Sequence, residues 1–464
     1  MQRGFLWLTF AWSVVVFAGY ILRIWLARYF GPSIYGIYGL IITILFWFEV
    51  FVNNGIPYAV SKFVPSCKNK VYSILWTGGR MQCLIAVVIF IIAFFSAPFI
   101  ARIYDDAALE NYLRLASIDI LIYGFYHLLA SFQNGLQKYR NQALIYISYV
   151  LTKLAFVILL VSLLDSLYGA IIANIVGSVI GFLVGYLFLT DKKPKPSYKK
   201  KELIDFAKYV VFYFLIMSLL LSLDLWIVNY YLSNAESGYY FAAAAIAQVP
   251  YFVFLGISAT LLPALSAELS VENIAKSEII IKDSLQYFLI FSLPMALLIS
   301  LYSNQIAVFI YSEEFINCGS ILTILVWGII LVSLLYILTN IINADHRPRT
   351  SLIIVFISVF FDFILNVFLI PQWGVIGAAI STTVAAGLGV IIAFIVVIKK
   401  FKLRWEKSFF IHFSLGLIII LITTFLFKVW SFHFLISILS SGLIYIGIII
   451  LFKEINLKDF YVNK

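Results

Sequence analysis

Six ionisable side chains, Arg23, Glu49, Asp119, Lys153, Asp224 and Asp362, interrupt stretches of chain that are otherwise apolar. A charge near the centre of a lipid-facing helix costs about 2.5–3.5 kcal/mol, so six facing hydrocarbon would cost roughly 15–20 kcal/mol together. Such residues must face a wet cavity or one another. Three of them head polar stripes at helical spacing. Asn53 follows Glu49 by one turn, Asn366 follows Asp362 likewise, and Tyr149 and Tyr146 precede Lys153 on the same face. Glu49, Lys153 and Asp362 fall near the middle of their segments, whereas Arg23, Asp119 and Asp224 fall toward one end. A cation opposite an anion across a cavity suits an anionic lipid headgroup and a coupling ion. The competing reading is that Lys153 pairs with Glu49 or Asp362 only to lock helices.

The elements that carry these residues follow from composition. The chain has 464 residues, 63% hydrophobic and 12% charged, which marks a polytopic membrane protein and excludes a soluble enzyme. Cutting it at charged or Gly/Pro-rich breaks gives an all-α membrane protein of about fourteen transmembrane helices, over 5–28, 35–61, 80–103, 112–134, 141–164, 167–190, 206–232, 238–264, 284–310, 319–343, 351–371, 375–398, 408–428 and 433–452. The apolar N-terminal run has no small-residue cleavage pattern and reads as a retained first span. Of the 32 Lys and Arg, only Arg28, Arg102, Arg114 and Lys428 fall on one side of this arrangement and two lie within spans. The other 26 share the opposite side, which is therefore cytoplasmic, together with both termini, and places the chain in the cell membrane. The net charge of +10 is then a topology signal with contact to membrane lipid headgroups and implies no nucleic acid.

Other chemistries find little support. Cys67, Cys83 and Cys318 are scattered, and His127, His346, His412 and His433 have no ligand spacing, so neither a disulfide framework nor a metal site is expected. No GxxxxGK[ST] phosphate loop occurs, so the chain carries no ATPase, and no cofactor is expected. Asp105 and Asp106 could hold a metal in a membrane glycosyltransferase, but such a pair beside Glu110 in a short loop reads as a solvated turn, and no catalytic residue is assigned.

The chain also repeats itself. Residues 143–172 superimpose without a gap on 351–380, with Gly169-Ala170 falling on Gly377-Ala378, and "YGIY" at 35–38 matches "SGYY" at 237–240 with Gly36 on Gly238. These pairings divide the chain into an N-lobe (1–190), a basic cytoplasmic linker (191–202), a C-lobe (203–400), and two further helices with a cytoplasmic tail (401–464). Repeats of this kind are a transporter construction in which two lobes rock about a central site. Within "ARYFGPSIYGIYGL" at 27–40, "GPS" supplies a tight break, Tyr35 and Tyr38 serve as interfacial anchors, and Gly36 and Gly39 permit close approach of a neighbouring helix.

That stretch, followed by "EVFVNNGIPYAVSKFV", resembles the entry signature of the polysaccharide biosynthesis transporters. These are the lipid-linked oligosaccharide flippases of the multidrug/oligosaccharidyl-lipid/polysaccharide exporter superfamily. "GLQKYRNQAL" at 135–144 and "DFILNVFLIPQWGVIGAAIST" at 362–382 resemble two further patterns of that group. The resemblance covers the first twelve spans. It implies a V-shaped pair of helix bundles, alternating between inward and outward openings, that moves a lipid-linked glycan from the cytoplasmic to the external leaflet. It also implies a phosphate-holding role for Arg23 and Lys153, with Tyr149 and Asn53 beside them. Glu49, Asp119, Asp224, Asp362 and Asn366 are left for ion coupling or gating. Expected partners are the lipid-linked glycan, membrane lipids and glycan-assembly proteins, and the chain is expected to be a monomer. Four acids against two cations are more than an anionic substrate requires, which keeps a cation-coupled multidrug-type exporter as the alternative.

Overall fold

The structure is a computed structural model describing residues 2–191, 198–403, 405–430, 432–452 and Glu454. Most of the expected linker (192–197) and the tail from 455 onward lie outside the described residues. Among the described residues the chain is helical and has no strand. The helices are α1 (Gln2–Asn53), α2 (Ile56–Phe63), α3 (Val71–Ile103), α4 (Ala107–Gly135), α5 (Tyr139–Leu164), α6 (Leu167–Leu187), α7 (Lys200–Tyr231) and α8 (Asn234–Ala247). They continue as α9 (Val249–Ser270), α10 (Ile274–Leu301), α11 (Ser303–Ile310), α12 (Cys318–Ala344), α13 (Pro348–Lys400), α14 (Lys407–Val429) and α15 (Phe434–Leu451).

Eleven helical segments among the described residues are long and apolar enough to cross a membrane. The chain is a multi-pass membrane protein. Two segments, Leu6–Phe63 and Pro348–Lys400, contain 58 and 53 residues. At about 1.5 Å per residue, 53 residues reach roughly 80 Å, more than twice the hydrocarbon thickness, so neither can be one straight span. Each is folded in two by a positive-φ glycine, Gly31 (φ 72°) and Gly374 (φ 60°). Gly31 sits within the expected "GPS" break, where Pro32 opens the next helix.

Three expected spans are interrupted. The span at 35–61 breaks at Asn54–Gly55, where Pro57 helps restart the chain as α2, because a proline cannot donate the backbone bond that would continue α1. The buried Gln82 side chain reaches across to this break and donates from Nε2 to the Val52 carbonyl at 2.7 Å. The span at 238–264 divides at Gln248 before Pro250, and that at 284–310 divides at Tyr302.

By internal contacts the chain forms two compact units, Met1–Phe241 and Ala242–Lys464. In the first, α5 packs on α6 and α1, and α4 packs on α3 and α6. In the second, α12 packs on α9, α10 and α13, and α14 packs on α15 and α10. Tyr445 fixes that last docking, donating to the Ile290 carbonyl at 3.0 Å with its ring over Gly416. Each unit contains a tight turn between paired helices with a glycine at its base. Asp165 (φ 46°) turns α5 into α6, and a methyl on Gly169 would stand 2.7 Å from the Leu160 carbonyl. Gly374 turns α13 on itself, and a methyl on Gly377 would stand 2.6 Å from the Leu369 carbonyl carbon.

The start of α8 crosses the second half of α1 within the first unit. A methyl on Gly36 would lie 2.7 Å from the Gly238 nitrogen, and one on Gly238 would lie 2.7 Å from the Pro32 carbonyl carbon. Phe241 covers Gly39 and packs on Tyr35, with ring centroids 5.0 Å apart. Tyr35 and Tyr38 are consequently buried, and the expected interfacial anchors are core residues of this crossing.

Candidate functional site

Four of the intramembrane charges of the first unit converge. Arg23 and Glu49 come from the two halves of α1, Asp119 from α4 and Lys153 from α5. Glu49 and Asp119 are buried, and their carboxyl groups meet side chain to side chain. Lys153 lies within the electrostatic reach of both carboxylates and of Arg23. Arg23 also stacks its guanidinium over Phe241, 5.5 Å from the ring centroid.

A directed chain of hydrogen bonds joins the cation to the acids. Lys153 Nζ stands 3.5 Å from the Tyr149 hydroxyl, which donates at 3.2 Å to Asn174 Oδ1, and Asn174 Nδ2 donates to Asp119. The local helices make this arrangement possible. Lys153 and Tyr149 share one face of α5, as their spacing predicts. Opposite them, α6 presents Asn174, Gly177, Ser178 and Gly181 along one stripe. Gly177 lets the α6 backbone approach until a methyl there would be 3.1 Å from Lys153 Cβ, and Gly181 fits against Tyr126 and Tyr149.

Sequence reasoning passed over several of these partners. Asn174 and Ser178 lie in a strongly apolar helix and carry no charge, and the small-polar stripe at helical spacing is the signal that could have found them. On α4, Asp119, Tyr123 and His127 repeat at one-turn intervals. Tyr123 and His127 pack tilted with ring centroids 4.8 Å apart, and Tyr126 stacks on Tyr149 at 4.7 Å, so an aromatic wall flanks the charges. A shallow apolar cleft lined by Ile44, Phe48, Ala93 and Leu113 contains none of the four charges, and the polar chemistry lies outside it.

The remaining sequence candidates are placed separately. Asp224 is buried in α7 and accepts from the Tyr240 hydroxyl at 2.7 Å. Asn53 is half-buried at the end of α1. Asp362 and Asn366 are fully buried in α13 of the second unit, where the Asn366 amide donates to the Asp362 backbone carbonyl at 3.0 Å. Asp106 accepts from the Ala108 and Leu109 amides as the N-cap of α4, so it serves the turn that starts that helix.

Over residues 25–320, well over half its length, the chain matches a family described as polysaccharide biosynthesis protein. The chain belongs to that family. A Haloferax volcanii protein named "Probable low-salt glycan biosynthesis flippase Agl15" is 25% identical to this polysaccharide biosynthesis protein over 199 residues, 43% of the chain and 42% of that relative. Among solved structures, the lipid II flippase MurJ in an inward closed conformation is 18% identical, with 96% of this chain and 99% of that one covered at a TM-score of 0.77. An inward-facing multidrug resistance MATE family transporter of the MOP superfamily is 16% identical, covering 82% and 94%, at a TM-score of 0.71. At such identities the two structures establish a shared fold.

Proposed function

We propose that this polysaccharide biosynthesis protein is a flippase that carries a lipid-linked oligosaccharide or polysaccharide precursor from the cytoplasmic to the external leaflet by alternating access. The observation that carries the reading is the convergence of Lys153 and Arg23 with a buried carboxyl pair in the interior of a chain from a polysaccharide biosynthesis family. The glycan-flippase relative and the lipid II flippase fold support it. In this reading Lys153 and Arg23 hold the phosphate with Tyr149 beside it, and Asn53, one turn beyond Glu49 at the end of α1, belongs to the same binding path. Glu49, Asp119, Asp224, Asp362 and Asn366 serve ion coupling or gating. The two six-helix lobes, the appended α14–α15 pair, the cytoplasmic termini and a monomeric state belong to the same proposal, as do glycan-assembly partners.

The test is leaflet transfer in reconstituted vesicles. A labelled lipid-linked glycan placed in one leaflet is expected to become accessible in the other only when the protein is present. A second reading, the cation-coupled exporter, draws on the excess of acids and on the likeness to multidrug transporters. It predicts proton-driven efflux of a cationic dye with no glycan transfer, and that result would replace the flippase reading.

A further inference from the structure

Every link between Lys153 and Asp119 has a fixed polarity. A carboxylate can only accept, so the Asn174 amide must turn its nitrogen to Asp119 and its oxygen to Tyr149. The Tyr149 hydroxyl must then donate to Asn174, which leaves its oxygen lone pairs to receive the Lys153 ammonium. Adding a proton to Asp119 removes the constraint at its source. The protonated carboxyl can donate to Asn174 Oδ1, the amide can rotate so that Nδ2 donates to the Tyr149 oxygen, and the tyrosine proton turns toward Lys153. An ammonium has three donors and no acceptor, so a tyrosine proton in that orientation opposes it and loosens the tether to Lys153.

We propose that Asn174 is a positioning residue whose two-faced amide links the protonation of Asp119 to the release of Lys153 for a substrate phosphate. The step rests on the flippase reading only for the identity of the anion. It is balanced by one proton, taken from water onto the Asp119 carboxylate, with no covalent bond made or broken between heavy atoms. The groups facing Asp119 are Glu49 from α1, Tyr123 on its own helix, Tyr149 and Lys153 from α5, and Asn174 and Ser178 from α6; Arg23 faces Lys153. Asn174 alone among them touches both Asp119 and the Lys153 partner without carrying a titratable proton, so it can transmit a change of charge without absorbing it.

The test reads Lys153 directly. Full-length protein with 13C-labelled lysine is placed in lipid nanodiscs, the Lys153 resonance is assigned by its loss in Lys153→Met, and its position is followed from acid to neutral pH. In the wild type the resonance is expected to shift in one step that disappears in Asp119→Asn. Tyr149→Phe, which keeps the amide partner of Asp119, and Asn174→Leu are both expected to shrink the step to the part that the Asp119 charge exerts through its field alone. A Lys153 step of unchanged size in both variants overturns the relay.

Farnesyl pyrophosphate then tests the coupling, with wild-type affinity expected to fall about tenfold as Asp119 ionises and to stay constant in Tyr149→Phe, the weight of one hydrogen bond to a charged group. If the Lys153 step behaves as expected but the pyrophosphate leaves Lys153 unperturbed, the phosphate reading fails while the hydrogen-bond relay stands.

Discussion

Gly36→Ala is expected to lower the stability of the protein by about 3 kcal/mol, the upper end of the cost of overpacking. The added methyl would meet backbone on the facing helix, the Asn234 carbonyl and the Gly238 nitrogen, and no flexible side chain is present to move aside. Either α8 lifts away from α1 or the helices bend, and both outcomes disturb the burial of Tyr35, Tyr38 and Phe241 around the crossing. Gly19→Ala is the matched control. It changes a glycine in the first half of α1 with nothing within 4 Å of the new methyl, so it should be neutral or stabilising by up to about 1 kcal/mol from helix propensity. Thermal unfolding of both variants in one detergent checks the contrast, and equal melting temperatures would show that the crossing is loose.

Lys153→Met is expected to abolish leaflet transfer and to destabilise the first unit by about 3–5 kcal/mol, the cost of leaving a buried charge without its partner. Methionine keeps the length and the apolar stem, so the loss is electrostatic. Glu49 and Asp119 would remain buried with the neighbouring cation removed. Asp119→Asn in the same chain should recover most of the stability, because it withdraws the carboxylate left uncompensated, but it should not recover transfer. That separation distinguishes a binding cation from a charge that only locks helices. Stable, fully active Lys153→Met would reduce Lys153 to the locking role.

Much of this architecture was legible in the sequence because the bilayer is a severe filter. Apolar length marks helices directly, and the break at Gly31 followed from a glycine and a proline in succession. Lys153 and Tyr149 lie together on α5 as helical spacing required, since that relation is local. What the sequence could not display was partnership between helices. Glu49 and Asp119 are seventy residues apart, and nothing in their spacing brings their carboxyls into contact. Asn174 escaped notice because a single amide in an apolar helix has no charge to price. Tyr35 and Tyr38 were misplaced because a tyrosine at a span end looks the same whether it meets headgroups or a second helix; α8 decides it.

The glycine crossing also constrains how the chain can change over generations. Gly36 and Gly238 occupy matching places in the two repeated stretches and press against each other's backbone neighbourhoods. A first methyl at either position bears nearly the whole cost of parting the helices, and a second methyl enters space already opened, so the two costs are far from additive. Relatives aligned over both stretches are expected to carry two glycines or two larger residues and seldom one of each. Free mixing of the two classes would show that the positions are not coupled.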